Sequence, residues 1–300
     1  MTPSPTLKPL TDHFCDVDPF MNYELPPSHL IATQVGLALA EDIGAADWTA
    51  MLIPADKPGK ATILVRESAV ICGQAWFEEC CRQVDARILV TWRVKEGELA
   101  GEDTVVCELA GPARALLTAE RSALNFLQTL SGVATEVRRY ADVVADLPVK
   151  IMDTRKTLPG LRLAQKYAVR VGGGVNQRVG LYDGILIKEN HIMAAGSIAA
   201  AVAAAKDLNA GVPIQVEVET LDELQQALDC GVTLVLLDNM TPAQMQEAVR
   251  LSAGRAQLEA SGNATFDKVR ILAETGVDRI SIGALTKHVR ATDFSMRFQQ

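Results

Sequence analysis

Long hydrophobic runs are missing from this chain of 300 residues. No stretch reaches the about eighteen apolar residues that a membrane-spanning helix requires. The opening residues MTPSPTLKPL also lack the basic start and apolar middle of an export signal. A cytoplasmic protein with no membrane association is therefore expected. A basic surplus is missing too: 29 Lys and Arg face 37 Asp and Glu, for a net charge of −8, and aromatics make up only 5%. That balance speaks against a nucleic-acid surface, whose usual footprint is a basic stripe. The six cysteines (Cys15, Cys72, Cys80, Cys81, Cys107 and Cys230) form no C-x-x-C pair and have no histidine at ligand spacing. Neither a disulfide framework nor a zinc site is expected, and the thiols read as reduced, mostly buried small side chains.

Against this acidic background one stretch is dense in cations. Residues 153–191 carry Arg155, Lys156, Arg162, Lys166, Arg170, Arg178 and Lys188. Arg forks and Lys point charges match carboxylate and phosphate oxygens, so a small polyanionic ligand is the simplest reason for such a cluster. Arg162, Lys166 and Arg170 recur at helical spacing and read as ordinary exposed charges of an amphipathic helix. Arg155, Lys156, Arg178 and Lys188 lie outside that helix and are the candidates for ligand binding.

The rest of the chain falls into two rhythms. Residues 1–26 hold five prolines and little periodicity, which suggests an arm across a surface. Residues 28–43 read as a helix, followed by strands, a helix and a strand–turn–strand unit up to about residue 112. A helical pattern over residues 116–146 reads as interrupted near Ser131 and Gly132. Arg121 lies near its start, where a cation opposes the helix dipole and so hints at a functional role. From residue 149 strand and helix alternate, with strands expected at 149–153, 185–189, 214–219, 234–238, 257–260 and 279–283. Such alternation predicts a parallel sheet, and the short regular units favour an incomplete α/β barrel over an open doubly wound sheet. The expected division is an N-terminal α+β unit over residues 1–130 and a barrel over residues 131–287, with segment 288–300 packing back on the first domain.

Barrel chemistry collects at the carboxyl ends of the strands. Polar residues fall at those ends in each unit: Asp153, Arg155 and Lys156; then Lys188, Glu189 and Asn190; then Glu217 and Glu219; then Asp238 and Asn239; then Ser261, Gly262 and Asn263; and last Gly283 and Ala284. Carboxylates in the apolar runs IQVEVET and TLVLLDN are costly unless paired or metal-bound, which makes Glu217 and Asp238 candidates for magnesium, directly or through water, and for ribose hydroxyls. Strand alternation places Glu217 and Glu219 on one side, so the pattern does not choose between them. The small residues of SGN and IGAL suit a phosphate. Gly172-Gly173-Gly174 follows a helix and lacks G-K-[ST], so it reads as a helix end rather than a phosphate loop.

The motifs EDIGAADWTA, ERSALNFLQTLSGVAT, DTRKTLPGLR, QKYAVRVGGGVNQRVGL, LIKENHI, VEVET, LLDNM, ASGN and GALTKH occur in the order and spacing of one family. By these the chain resembles the quinolinate phosphoribosyltransferases. The resemblance implies an N-terminal α/β sandwich joined to a seven-stranded incomplete α/β barrel, in a homodimer whose active sites are shared between subunits. It also implies transfer of the phosphoribosyl group of phosphoribosyl pyrophosphate to quinolinate with decarboxylation, with magnesium and no organic cofactor. Carried over residue by residue, it casts Arg121, Arg155, Lys156, Gln177, Arg178 and Lys188 as substrate-binding, with Arg121 reaching across the dimer. Lys156, Glu217 and Asp238 become the catalytic candidates, and Ser261, Gly262, Asn263, Gly283 and Ala284 the phosphate loops. One position departs: the family usually reads N-H-R where this chain has Asn176-Gln177-Arg178, and Gln177 can donate a hydrogen bond but carries no charge. The alternatives are a phosphoribosyltransferase for nicotinate or a related heterocycle, and a non-catalytic, ligand-sensing paralogue.

Overall fold

The computed structural model describes residues 24–262 and 264–299. The proline-rich arm thus lies almost wholly outside the described residues, as do Cys15 and the phosphate-loop candidate Asn263. The chain opens with α1 (Ser28–Ile43), whose buried Ile31, Val35 and Leu39 recur at four-residue intervals and form its inner stripe. Strand β1 (Pro58–Val65) alternates between open and buried positions along its second half. It is followed by β2 (Ala69–Val70) and α2 (Gln74–Val84), which buries Trp76, Phe77, Cys80 and Cys81. Then come β3 (Leu89–Trp92), β4 (Leu99–Ala100) and β5 (Val105–Pro112). A single long helix, α3 (Ala113–Val143), leaves this unit and carries a row of small and apolar residues that are buried along its length.

The break expected near Ser131 and Gly132 is absent, and α3 runs straight through both. Gly132 is there for a different reason. A Cβ at that position would lie 2.2 Å from the Arg290 carbonyl, so the missing side chain lets the returning C-terminal segment cross the helix. Arg121 consequently sits beyond the first turn of α3, outside the reach of the dipole, and the charge–dipole argument for its function falls away.

The second unit comprises β6 (Lys150–Met152), α4 (Arg162–Val171), β7 (Ile185–Ile187), α5 (Glu189–Ala195), α6 (Ile198–Asp207), β8 (Ile214–Val218), α7 (Leu221–Asp229), β9 (Leu234–Asp238), α8 (Pro242–Ser252), β10 (Gln257–Ser261), α9 (Phe266–Ala273), β11 (Arg279–Ser281) and the short α10 (Ala284–Lys287). Its six strands pair in the order β6-β11-β10-β9-β8-β7, all parallel. Val175 adds a one-residue parallel bridge beside Met152, on the side of β6 away from β11. That bridge supplies a seventh position in the ring. No ladder among the described residues joins it to β7, so the barrel is incomplete. Gly172 closes α4 by donating its N–H to the Ala168 carbonyl at 2.9 Å, a helix end as expected.

The chain then returns. The last strand, β12 (Phe294–Phe298), pairs antiparallel with β1, giving a first sheet in the order β12-β1-β5-β3. Among the described cysteines, Cys72, Cys80, Cys81 and Cys107 are free and buried and Cys230 is free and half-buried.

Candidate active site at the strand ends

Every barrel strand ends in the region that collects the candidate residues. Asp238 and Ser261 are the last residues of β9 and β10 and stand opposite each other in register. Glu217, one residue before the end of β8, forms an ion pair with Lys188, the residue that follows β7. Burial first and then the neighbouring Glu217 charge push the Asp238 carboxyl above its ordinary range, while Lys188, Asn239 and Lys156 hold it down. Lys156, Lys188, Glu217 and Asp238 are therefore one electrostatic group. Glu219, by contrast, is exposed beyond β8, and its N–H is tied to the Glu223 carboxylate at 2.7 Å. The structure thus selects Glu217 over Glu219.

Two glycines shape the phosphate-sized end of this group. Gly262 has φ +92°, and a Cβ there would fall 2.1 Å from Asn239 Oδ1, so the β10 loop lies directly against the Asn239 side chain. Asn239 in turn donates from Nδ2 to Asp238 Oδ2 at 2.8 Å. A Cβ on Gly283 would lie 2.9 Å from Lys156 Cδ. Lys156 is further held by its own N–H donating to Thr154 Oγ1 at 3.0 Å and its carbonyl accepting from Thr286 Oγ1 at 2.9 Å. Ala284 opens α10 immediately beyond.

On the other flank, Arg178 donates from Nη1 to the Gly184 carbonyl at 2.8 Å. Burial and the nearby Arg155 charge push its guanidinium down from the ordinary value. Arg155 Nε and Arg178 Nε are both buried without a hydrogen-bond partner. The two guanidinium charges thus act on each other at this flank, and Arg170 Nε is buried without a partner in the same way.

What holds these cations was misread in the sequence. Lys166 is 2% exposed and Asp153 is fully buried; they form an ion pair at 2.6 Å. Lys166 Nζ also donates to the Gln177 carbonyl at 2.8 Å, while Asp153 accepts from the Gln177 N–H at 2.8 Å and from Asn176 Nδ2 at 2.7 Å. Burial pushes the Asp153 carboxyl up and the Lys166 ammonium down, each opposed by its partner's charge. Arg162 donates from Nε to Thr157 Oγ1, from Nη1 to the Val179 carbonyl and from Nη2 to the Arg155 carbonyl, at 3.1, 3.2 and 3.4 Å. Arg170 is half-buried and donates to the Glu24 carbonyl at 2.6 Å. The reading of these three as a solvated helix face is overturned. Arg162 and Lys166 brace the two cation loops, while Arg170 holds the Glu24 carbonyl.

Gln177 lies in the braced loop and donates from Nε2 to Gln215 Oε1 at 3.1 Å. Arg121 is exposed on α3, and no hydrogen bond or ion pair among the described residues joins it to the barrel group. His191 accepts the Lys188 N–H on Nδ1 at 3.0 Å and so caps the start of α5.

An incomplete parallel α/β barrel that gathers basic and acidic side chains at its strand ends, preceded by a small α/β sheet domain, defines the class of protein. The particular lineage follows from comparison with known proteins. Residues 47–131 match the quinolinate phosphoribosyl transferase N-terminal domain and residues 133–297 match the C-terminal domain of the same family. The chain is 41% identical over 258 residues to a probable nicotinate-nucleotide pyrophosphorylase [carboxylating] of Bacillus subtilis, covering 85% of this chain and 89% of that protein. A probable nicotinate-nucleotide pyrophosphorylase [carboxylating] of Synechocystis is 40% identical, covering 91% of this chain and 94% of that one. The solved nicotinate-nucleotide pyrophosphorylase of Francisella tularensis superposes with a TM-score of 0.90 at 43% identity, covering 95% of this chain and all (100%) of that one. The chain belongs to the quinolinate phosphoribosyltransferase family.

Proposed function

We propose that this chain transfers the phosphoribosyl group of phosphoribosyl pyrophosphate to the ring nitrogen of quinolinate and releases pyrophosphate and carbon dioxide, leaving nicotinate mononucleotide. This is a step of NAD biosynthesis. The observation that carries the substrate choice is the pair of neighbouring cations Arg155 and Arg178, whose charges act on each other. A dicarboxylate satisfies two such cations; the monocarboxylate nicotinate leaves one orphaned. Gln177, at the edge of the same loop, contributes a neutral donor to the ligand.

In the reaction the pyridine nitrogen attacks C1 of the ribose while the bond from that carbon to the pyrophosphate oxygen breaks, and its electron pair leaves with pyrophosphate. The C2–carboxylate bond then breaks. Its electrons stay on C2, where the new pyridinium charge stabilises them until a proton arrives. Lys156 and the loops at Ser261, Gly262, Asn263, Gly283 and Ala284 receive the phosphates, and Lys188 exchanges its Glu217 partner for ligand oxygens. Glu217 and Asp238 face the positive charge that develops on the ribose carbon. They are also the residues that would hold magnesium. The raised Asp238 carboxyl beside the Glu217 charge is a pair that a dication would relieve. Two carboxylates would suit magnesium, which is usually held by one or two carboxylates. When bound, magnesium neutralises the departing pyrophosphate.

The site is completed in a homodimer by Arg121 of a second copy. Large apolar side chains stand exposed on the N-terminal domain at Leu37, Trp48 and Leu52 and on the barrel loop at Leu181 and Tyr182, which supports burial against another subunit. Among the described residues no helix is long and apolar enough to cross a membrane, and we place the enzyme in the cytoplasm. The test is an assay of purified protein with phosphoribosyl pyrophosphate and magnesium, with quinolinate or nicotinate as acceptor. Quinolinate-dependent release of both pyrophosphate and carbon dioxide is expected. Turnover of nicotinate alone would move the chain to the monocarboxylate reading, and no pyrophosphate with either acid would leave a ligand-sensing protein.

A further inference from the structure

Beneath the site, the barrel interior holds a carboxyl that the reaction above does not use. Glu259 on β10 is 2% exposed and stands in register with Leu236 of β9 and Arg279 of β11. Its Oε2 accepts from Gln215 Nε2 at 2.8 Å, and its Oε1 is buried without a partner. Gln215 on β8 is 8% exposed and has its other end engaged, since its Oε1 accepts from Gln177 Nε2 at 3.1 Å. Two amides in series thus join a buried carboxyl to the loop that carries Arg178.

Such a chain has a direction. A carboxamide has a donor end and an acceptor end and can be reversed by a half turn, whereas a carboxylate only accepts. With Glu259 as terminus, Gln215 must turn its NH2 inward, its oxygen is then left for Gln177, and Gln177 must donate to it. The direction is fixed while Glu259 is ionised, because a carboxylate has no proton to donate to the Gln215 oxygen. Burial and, more weakly, the Glu217 charge push the Glu259 carboxyl up, while the Gln215 hydrogen bond, Ser281 and Arg279 pull it back.

We infer that Glu259 is a positioning residue for the quinolinate site: through Gln215 it fixes the orientation of the Gln177 amide, and so determines what the barrel mouth offers the dicarboxylate. One Nε2 proton of Gln177 is committed to Gln215, and its second Nε2 proton and Oε1 are presented in one arrangement rather than two. Where the family carries histidine, this chain has a neutral amide whose ends are interchangeable, and a fixed neighbour is what makes such a residue selective. Preorganisation of this kind acts on binding, not on the chemical step.

The inference rests on the quinolinate reading, and the two fail differently. If wild-type protein shows no heat of binding to quinolinate by calorimetry, the function is wrong before any variant is compared. Given binding, Glu259→Gln is nearly isosteric but can donate as well as accept, so the amide chain populates both directions. With the competent direction reduced to between about one half and one tenth, the KM for quinolinate rises about two- to tenfold, since apparent affinity scales with the competent fraction. The kcat and the KM for phosphoribosyl pyrophosphate stay unchanged. Gln215→Met, which cuts the chain at its middle, gives the same quinolinate-only defect and serves if the first variant folds poorly. In a Gln177→Ala background both substitutions become silent. Equal rises in both KM values, or an effect that persists in full without Gln177, would mean that Glu259 only supports the barrel and would overturn the inference.

Discussion

Replacing Lys166 by Met tests whether the cation loops are held from beneath by a buried charge pair. The substitution keeps the length of the side chain but removes two hydrogen bonds, to Asp153 Oδ1 at 2.6 Å and to the Gln177 carbonyl at 2.8 Å. Asp153 is left fully buried with only the Asn176 amide and the Gln177 N–H. Breaking one side of a buried pair costs about 3–5 kcal/mol, and an unsatisfied carbonyl about 1 kcal/mol more. The two retained donors offset part of this, so the expected loss is about 4 kcal/mol at neutral pH. Against a net stability of about 5–15 kcal/mol the protein remains folded, but the 176–178 loop loses its anchor. Urea denaturation followed by far-UV circular dichroism, with amide exchange at residues 176–178, is the appropriate measurement. The sign of the pH dependence is fixed as well. Without Lys166 the Asp153 carboxyl, already raised by burial, moves further above its unfolded value of 3.8. The penalty is therefore full at pH values above the raised folded value and fades as pH falls through it. A loss below about 1 kcal/mol, the range of an exposed pair, would refute the argument.

Substituting Arg155 or Lys156 by Ala is expected to lower kcat/KM by at least about a hundredfold with an unchanged circular dichroism spectrum, the scale of losing one preorganised charged donor; near-normal kinetics would sink their assignment. Mixing two individually inactive variants, Arg121→Ala and Lys156→Ala, and allowing subunits to exchange should restore about a quarter of the sites, because half the dimers are hybrids and each hybrid has one intact site. No recovery after demonstrated exchange would argue against a shared site. Tyr167→Phe removes the hydroxyl that donates to Glu96 Oε1 at 2.9 Å. Burial raises the Glu96 carboxyl and this donor lowers it, so the hydroxyl stabilises the ionised form. The expected cost is about 1.5–3 kcal/mol where Glu96 is ionised, shrinking as pH falls through its raised value; a pH-independent loss would contradict the assignment.

The strand ends were legible in the sequence because barrel strands are short and apolar, so Glu217, Asp238 and Ser261 stand out at the point where each run stops. The braces were not. Lys166 and its partner lie on different elements, and their pairing depends on a loop that folds back over α4. Periodicity alone cannot distinguish a charge facing water from one facing such a loop. Gly132 misled for a similar reason: a glycine inside a helix reads as a break unless the segment that crosses it at Arg290 and Ala291 is known to press on it. The Glu259 chain was hidden because the run LEAS carries its acid at a buried position whose partner Gln215 lies two strands away, and Gln177 on a loop, so only the folded side chains bring the three together.

The pairing of β12 with β1 sets an order of events during synthesis. Until the final residues leave the ribosome, β1 is the unpaired edge of the first sheet, with its backbone donors and acceptors open to any other strand. The whole barrel must emerge in the meantime. The N-terminal domain therefore waits, through the translation of the catalytic unit, for its last strand. A nascent chain stalled within the barrel presents that open edge for as long as the stall lasts, and edge-to-edge association between such chains is the hazard this topology carries.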